Sequence, residues 1–219
     1  MIYEERHIRV QPGAFDEYRR WAHSQMWPNL VAAGHVPLCL LSGLIGLSAQ
    51  DVVLFTGFSG YEAWQAAQPL IAGDGPATAP RAWIERETAR LLLPSETRPD
   101  LPVAPSKRRA VYGLRRWWID PENWPEYNRL SVEGVWPALD HMGHYSLGQF
   151  RHAATTSPLE IVNIAGYDDP AMWQATRDPA TAGVPDDLVA KFRTAIRTRR
   201  AMVRESYVCL MAAHWPDIA

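Results

Sequence analysis

Hydrophobic positions along the chain follow two alternating periods, and the order in which those periods occur is used twice. Residues 2–10 are rich in β-branched and aromatic side chains and read as a strand. Pro12-Gly13 then turns the chain, Pro12 with a fixed φ and Gly13 with conformational freedom. Over 14–33, Phe15, Tyr18, Ala22, Met26 and Leu30 recur at steps of three and four, which predicts a helix with one buried stripe. Pro28 falls late in that helix and should kink or shorten it, and Gly34 fits its C-terminal stop. Residues 36–47 and 52–58 read as strands of a hairpin with Ser48-Ala49-Gln50 at the tip. Ser59 is placed to cap a helix over 60–72. A short helix at 80–85 then leads into a last strand at 87–93.

The same order returns 109 residues later. Tyr3 meets Tyr112, Arg6 meets Arg115, and Glu17-Tyr18 meets Glu126-Tyr127. Trp27-Pro28 meets Trp136-Pro137, Gly34-His35 meets Gly143-His144, and Trp64-Gln65-Ala66 meets Trp173-Gln174-Ala175. Chance gives far fewer matches at one offset, so the chain is a tandem duplicate. Asp168 stands where a cap for the helix at Pro170 is expected. After this point the register shifts by about nine residues, through an insertion near 183–186. The second copy is therefore predicted to end in a longer helix over 186–203 and a strand over 205–211. The expected organisation is a first unit at 1–94, a Pro-rich semi-stiff linker at 95–107, and a second unit at 108–219.

Each copy reads βαββαβ, the ferredoxin-like order. Such a sheet covers one face with helices and leaves the other apolar. Two copies solve this by packing sheet on sheet, which predicts an α+β fold of two ferredoxin-like units closed as an intramolecular barrel.

Composition narrows the function. The chain has 219 residues and a formal charge of −2, so nothing electrostatic favours nucleic acid or an anionic membrane surface. The basic run Arg193, Arg197, Arg199, Arg200, Arg204 reads as a solvated helix face. Cys39 and Cys209 lie in apolar strands and read as buried free thiols. The opening strand leaves no room for a secretory signal pattern, and no apolar run reaches the ~20 residues of a membrane span. A cytoplasmic location is the expectation. Ten tryptophans exceed what the repeat needs and could wall a pocket for a flat or apolar molecule.

The opening Met1-Ile2-Tyr3-Glu4, Arg6, Pro12-Gly13 and Phe15-Asp16-Glu17-Tyr18 resembles the N-terminal pattern of NIPSNAP proteins, within the dimeric α+β barrel superfamily. Each half looks like one such domain. The second half departs from the pattern, with Gly113 at the Glu4 position and Glu122 at the Gly13 position. The resemblance implies a small-molecule protein. The wider superfamily includes cofactor-free monooxygenases, cyclases and isomerases, as well as lyases, haem enzymes and ligand-binding proteins.

Among single residues, His35 and His144 follow a glycine at a strand start, where each could move a proton near neutral pH or tie down the turn. Arg6 and Arg115 sit mid-strand and need a partner: Glu17, Glu126, Glu87 or Glu205 in an internal ion pair, or a substrate oxyanion. Asn163 replaces Leu54 inside an apolar strand, and Gln149 replaces Leu40, which points to a pocket in the second copy. Trp117, Tyr145, Tyr127 and Arg6 are the expected substrate contacts, with His144, Arg115, Asn163 and His35 as the catalytic set. No spacing suggests a metal, and no phosphate loop or nucleophile elbow occurs. No organic cofactor is expected, and haem is left open by the resemblance.

The leading expectation is an enzyme performing isomerisation, cyclisation, elimination or oxygenation of a hydrophobic or aromatic metabolite. The alternatives are a non-catalytic binding protein and an interaction scaffold. A scaffold would show an apolar surface patch and no enclosed pocket. The fused duplicate fills the usual dimer interface internally, and a further homo-oligomer stays open.

Overall fold

The computed structural model describes residues 1–73, 80–95, 98–99 and 101–216. The fold is α+β, with eight strands and helices, and it divides into two compact units. The first comprises Met1–Leu93 and Met211–Ala219, the second Pro94–Leu210.

In the first unit, β1 (Ile2–Val10), β2 (Val36–Ile45), β3 (Asp51–Phe58) and β4 (Ile84–Pro94) lie in the order β4-β1-β3-β2. Strand β1 runs antiparallel to both neighbours, with Arg6 opposite Leu54 on β3 and Ala89 on β4. The helix expected over 14–33 forms in three pieces: α1 (Phe15–Trp21), a π-helical turn at Ala22–Met26, and α2 (Trp27–Ala32). Pro28 has no N–H to give to the carbonyl one turn earlier. The helix meets this by widening just before the proline, so that the Trp27 N–H bonds the Ala22 carbonyl five residues back. Helix α3 (Tyr61–Ala72) starts at Gly60 with no side-chain cap, so Ser59 does not perform the capping role expected of it.

The second unit repeats this geometry at the same offset. Its strands β5 (Val111–Ile119), β6 (Tyr145–His152), β7 (Leu159–Tyr167) and β8 (Val203–His214) give the order β8-β5-β7-β6, with β8 counted up to Leu210. Arg115 stands opposite Asn163, as Arg6 stands opposite Leu54. Helix α4 (Trp124–Leu130), a π-helical turn at Ser131–Val135 and α5 (Trp136–His141) reproduce the widened helix ahead of Pro137. A register shift between Pro37 and Cys39 on β2 recurs between Ser146 and Gly148 on β6. Helix α6 (Pro170–Ala175) is capped by Asp169, whose Oδ1 accepts the Met172 N–H at 2.7 Å, one residue later than the expected Asp168. Helix α7 (Asp186–Met202) is the long addition, and β8 begins at once after it.

The stretch expected to be a linker is counted within the second unit, with 96, 97 and 100 outside the described residues. Ser95 N donates to Gln149 O at 2.8 Å. Arg98 donates to Ser146 O at 3.0 Å and Asp140 Oδ2 at 2.6 Å, and its guanidinium lies over Trp136.

The cores of the units differ. In the first, Ile8, Met26, Trp27, Leu30, Leu54, Phe58 and Ala67 belong to one continuous buried cluster. In the second, comparable positions fall into smaller groups, such as Ile119 with Tyr127, Leu159 and Ile161, and Val135 with Trp136 and Ala195. Cys39 and Cys209 are both buried thiols outside any disulfide. No helix among the described residues is long and apolar enough to cross a membrane.

Candidate functional site

The two units treat the same mid-strand arginine in opposite ways. In the first, Arg6 Nε and Nη2 hold the Glu4 carboxylate at 2.6 and 3.1 Å. Its Nη1 reaches Glu87 at 3.0 Å, and Nη2 also donates to Gln68 at 2.6 Å. Glu4 Oε2 accepts further bonds from the Trp64 indole N–H at 2.6 Å and from Gln68 Nε2 at 3.1 Å. Burial alone would lower the Arg6 pKa, but the bonds and charges of Glu4 and Glu87 more than offset it and raise it. Arg6 is thus fully engaged by its own chain. This replaces the substrate-contact role expected for it, and Glu87 is one of the partners foreseen.

In the second unit the equivalent of Glu4 is Gly113, so the Arg6–Glu4 pair has no counterpart. Arg115 instead faces a cavity of about 180 Å³ lined wholly by residues of this unit. Its floor includes Gly113, Arg115, Trp117, Asn163 and Tyr167, and its walls include His144, Trp136, Trp173, Phe192 and Arg199. Four arginines line it (Arg115, Arg177, Arg199 and Arg200), and no carboxylate does among the described residues. Burial, then the charges of Arg199 and Arg177, lower the Arg115 pKa. The Arg115 guanidinium lies 5.3 Å from the Trp117 ring centre, the Arg199 guanidinium 5.7 Å from the same ring, and that of Arg177 5.2 Å from Trp173.

Several residues that line this space carry polar atoms without partners. Among the described residues, both ring nitrogens of His144, Trp117 Nε1, Asn163 Oδ1 and Arg199 Nε are buried without a hydrogen bond. Native interiors hold only a few such groups, so five of the atoms on residues around one cavity call for an explanation, which a bound guest would supply. Asn163 Nδ2 donates to Gln149, which donates in turn to Asn128 at 2.7 Å. That chain of amides holds Asn163 where the first unit has Leu54.

His144 is 6% exposed and lies flat on Tyr167, with ring centres 4.5 Å apart and planes inclined by 20°. Burial, then the charges of Arg115 and Arg98, push its pKa down to about 3. It is therefore a neutral imidazole near pH 7, able to accept but not to give up a proton there, and its ring does not tie down the turn. The backbone does that, through His144 N to Leu139 O at 3.0 Å. Burial pushes Tyr167 up to about 12, so its hydroxyl stays protonated.

Of the other expected residues, Tyr127 is buried and its hydroxyl accepts a bond from Arg199 Nη2, which supports the cavity wall from behind. Tyr145 points elsewhere, under Lys107 at 5.6 Å. His35 packs on Phe58 at 5.1 Å in the first unit. Neither lines the cavity. Arg199, read from sequence as part of a solvated face, is 7% exposed and forms part of the site. Arg177, Tyr167, Trp136 and Trp173 were not foreseen as site residues. The one signal available for them was the exchange of Glu4 for Gly113, which removes an arginine's partner.

No family model matches the chain, and no curated protein matches it in sequence. Solved structures share its fold. A candidate monooxygenase from Lactobacillus acidophilus NCFM aligns over 97% of this chain and 93% of its own, at 14% identity and a TM-score of 0.66. A heme-binding protein from Thermus thermophilus aligns over 96% and 90%, at 12% identity and a TM-score of 0.50. A NIPSNAP domain protein from Burkholderia xenovorans covers 46% of this chain and all of its own, at 21% identity and a TM-score of 0.38. The α+β class expected from the sequence is thereby shown, while the NIPSNAP likeness extends over less than half the chain.

At about 180 Å³ the cavity is small for a haem. A space of roughly 150 Å³ holds one benzene-sized ring, and a four-ring macrocycle needs several times the volume present here. No group of three or more metal-ligating side chains occurs among the described residues.

Proposed function

We propose that the second unit is the working half, and that its cavity binds a small flat anion, or a ketone that becomes one, as a cofactor-independent enzyme site. The observation that carries this reading is the concentration of unpartnered buried polar atoms on residues around a cavity that, among the described residues, is lined by four arginines and no carboxylate. Trp117, Trp136 and Phe192 offer apolar surface to a ring. Arg115 provides a buried positive charge where an enolate oxygen would develop. The neutral His144 can accept a proton, and negative charge forming next to Arg115 would relieve one cause of its low basicity. Proton removal to give a stabilised carbanion is a common first step of isomerisation, elimination, cyclisation and oxygenation of such molecules. The fold shared with a candidate monooxygenase agrees with this class. A binding protein without turnover is the second reading, favoured by a His144 so weakly basic in the empty site.

The test uses 2-indanone, a flat ketone with acidic C–H bonds, in deuterated buffer. Proton NMR should show loss of the α-hydrogens faster than in buffer alone, with the excess abolished in His144→Phe and reduced at least about tenfold in Arg115→Gln. Quenching of tryptophan fluorescence without exchange would establish the carrier reading instead. Neither quenching nor exchange would sink both.

A further inference from the structure

The first unit shows what the cavity of the second is shaped to receive. We propose that the guest carries a planar carboxylate, whose oxygens take the place over Gly113 that the Glu4 side chain fills in the first unit. This rests on reading the cavity as a ligand site and adds the chemical class of the ligand.

Three residues grip the Glu4 carboxylate: Arg6 through the side-on pair of Nε and Nη2, Trp64 through its indole N–H, and Gln68 through its amide. At the repeat offset these are Arg115, Trp173 and Arg177, and all three line the cavity. The clamp is retained and the clamped group is missing. The exchange of Gln68 for Arg177 even adds a cation, so the second unit holds more positive charge around the vacated place than the first needs around Glu4.

Gly113 itself lines the cavity. A Cβ built there would meet Tyr167 Cε2 at 3.2 Å, the Tyr167 hydroxyl at 3.7 Å and Leu210 Cδ2 at 3.8 Å, so Tyr167 bounds the place over the glycine on one side and the clamp residues Arg115, Trp173 and Arg177 bound the rest. A side-on guanidinium edge pairs with two oxygens of a carboxylate or of a phosphoryl group, and the choice of carboxylate rests on the Glu4 group that the same clamp holds in the first unit. The remaining lining, with Trp117, Trp136, Leu139 and Phe192, takes an apolar ring. The inferred class is an aromatic monocarboxylate of one ring.

The test is calorimetric titration of the full chain with benzoate, benzamide and phenylphosphonate, which share a ring and differ in the head group. Benzoate should bind at least about tenfold more tightly than either of the others. Gly113→Glu, which supplies the missing carboxylate from the chain, should abolish benzoate binding while circular dichroism stays native. If that variant does not fold, Arg115→Gln takes its place, with a loss of at least about tenfold expected. Trp173→Phe, which keeps the ring and removes the N–H, should weaken benzoate more than benzamide. Equal affinity for benzoate and benzamide would overturn the carboxylate subsite and leave the ligand cavity standing. Tighter phenylphosphonate would overturn it in favour of a tetrahedral anion. Undiminished benzoate binding by a folded Gly113→Glu would overturn the equivalence with Glu4. Binding of none of the three would remove the cavity reading along with the subsite.

Discussion

At the scale of the residue, His144 shows how strongly a site can reset a side chain. An ordinary histidine titrates near 6.5, yet burial and two arginines hold this one neutral down to about pH 3. The sign for stability follows. Between those values the unfolded chain binds a proton that the folded one refuses, so stability is intact at neutral pH and is lost as pH falls below about 6.5. From pH 7 to pH 4 this group should remove about 3 kcal/mol. His214 in the first unit is pushed down to about 4 by burial, then by Arg19 and His23, and acts in the same direction. Urea unfolding at pH 7 and pH 4 measures the effect. In His144→Gln the difference between the two pH values should shrink by about 3 kcal/mol, and an unchanged difference would contradict the placement of the ring. The position of His144 at a strand start was legible in the sequence. Its protonation was not, because that depends on Arg98 and Arg115, which lie 46 and 29 residues away in the chain.

At the scale of the element, the repeat made most of the fold readable. The strands and the two proline-interrupted helices follow local pattern and recur at one offset, so each copy corroborates the other, while the widening and the shared bulge show only in the structure. Helix α7 was legible only as a longer version of the short helix at 80–85, and its Arg199 was read as solvated because it stands in a basic run near a helix end. Its approach to the rest of the unit is close. At Gly134, in the π-helical turn, an added Cβ would stand 2.5 Å from Ala195 Cβ on α7. Alanine is intrinsically better than glycine in a helix by about 1 kcal/mol, but here the collision should win. Gly134→Ala is expected to destabilise by about 1–3 kcal/mol and to shift the wall formed by Phe192, Ile196 and Arg199. Adding Ala195→Gly should recover much of that loss. A double-mutant cycle by urea unfolding should give a favourable coupling of at least about 1 kcal/mol, and additive effects would contradict the contact.

At the scale of the whole molecule, the two copies treat one position differently. The first unit fills the space around its arginine with the Glu4 carboxylate and a continuous apolar cluster. The second has Gly113 in place of that carboxylate and a cavity beside its arginine. The sequence displayed this exchange in plain form, as Glu4 against Gly113, but its meaning required knowing that Glu4 and Arg6, two residues apart on one strand, face the same side and meet Trp64 and Gln68 there. The two arginines should consequently respond to the same substitution with opposite effects. Arg6→Met strands the Glu4 carboxylate, which is 1% exposed, with only neutral donors. Removing one partner of a buried pair costs about 3–5 kcal/mol, and that loss is expected here. Arg115→Met removes a cation whose charged form burial already disfavours and which has no carboxylate to leave behind. Its stability should change by less than about 1 kcal/mol, while binding at the cavity is lost. Urea unfolding of both variants beside the parent protein measures the contrast. Equal losses would mean that Arg115 is held by a structural partner, and the cavity could then no longer be read as a site awaiting an anion.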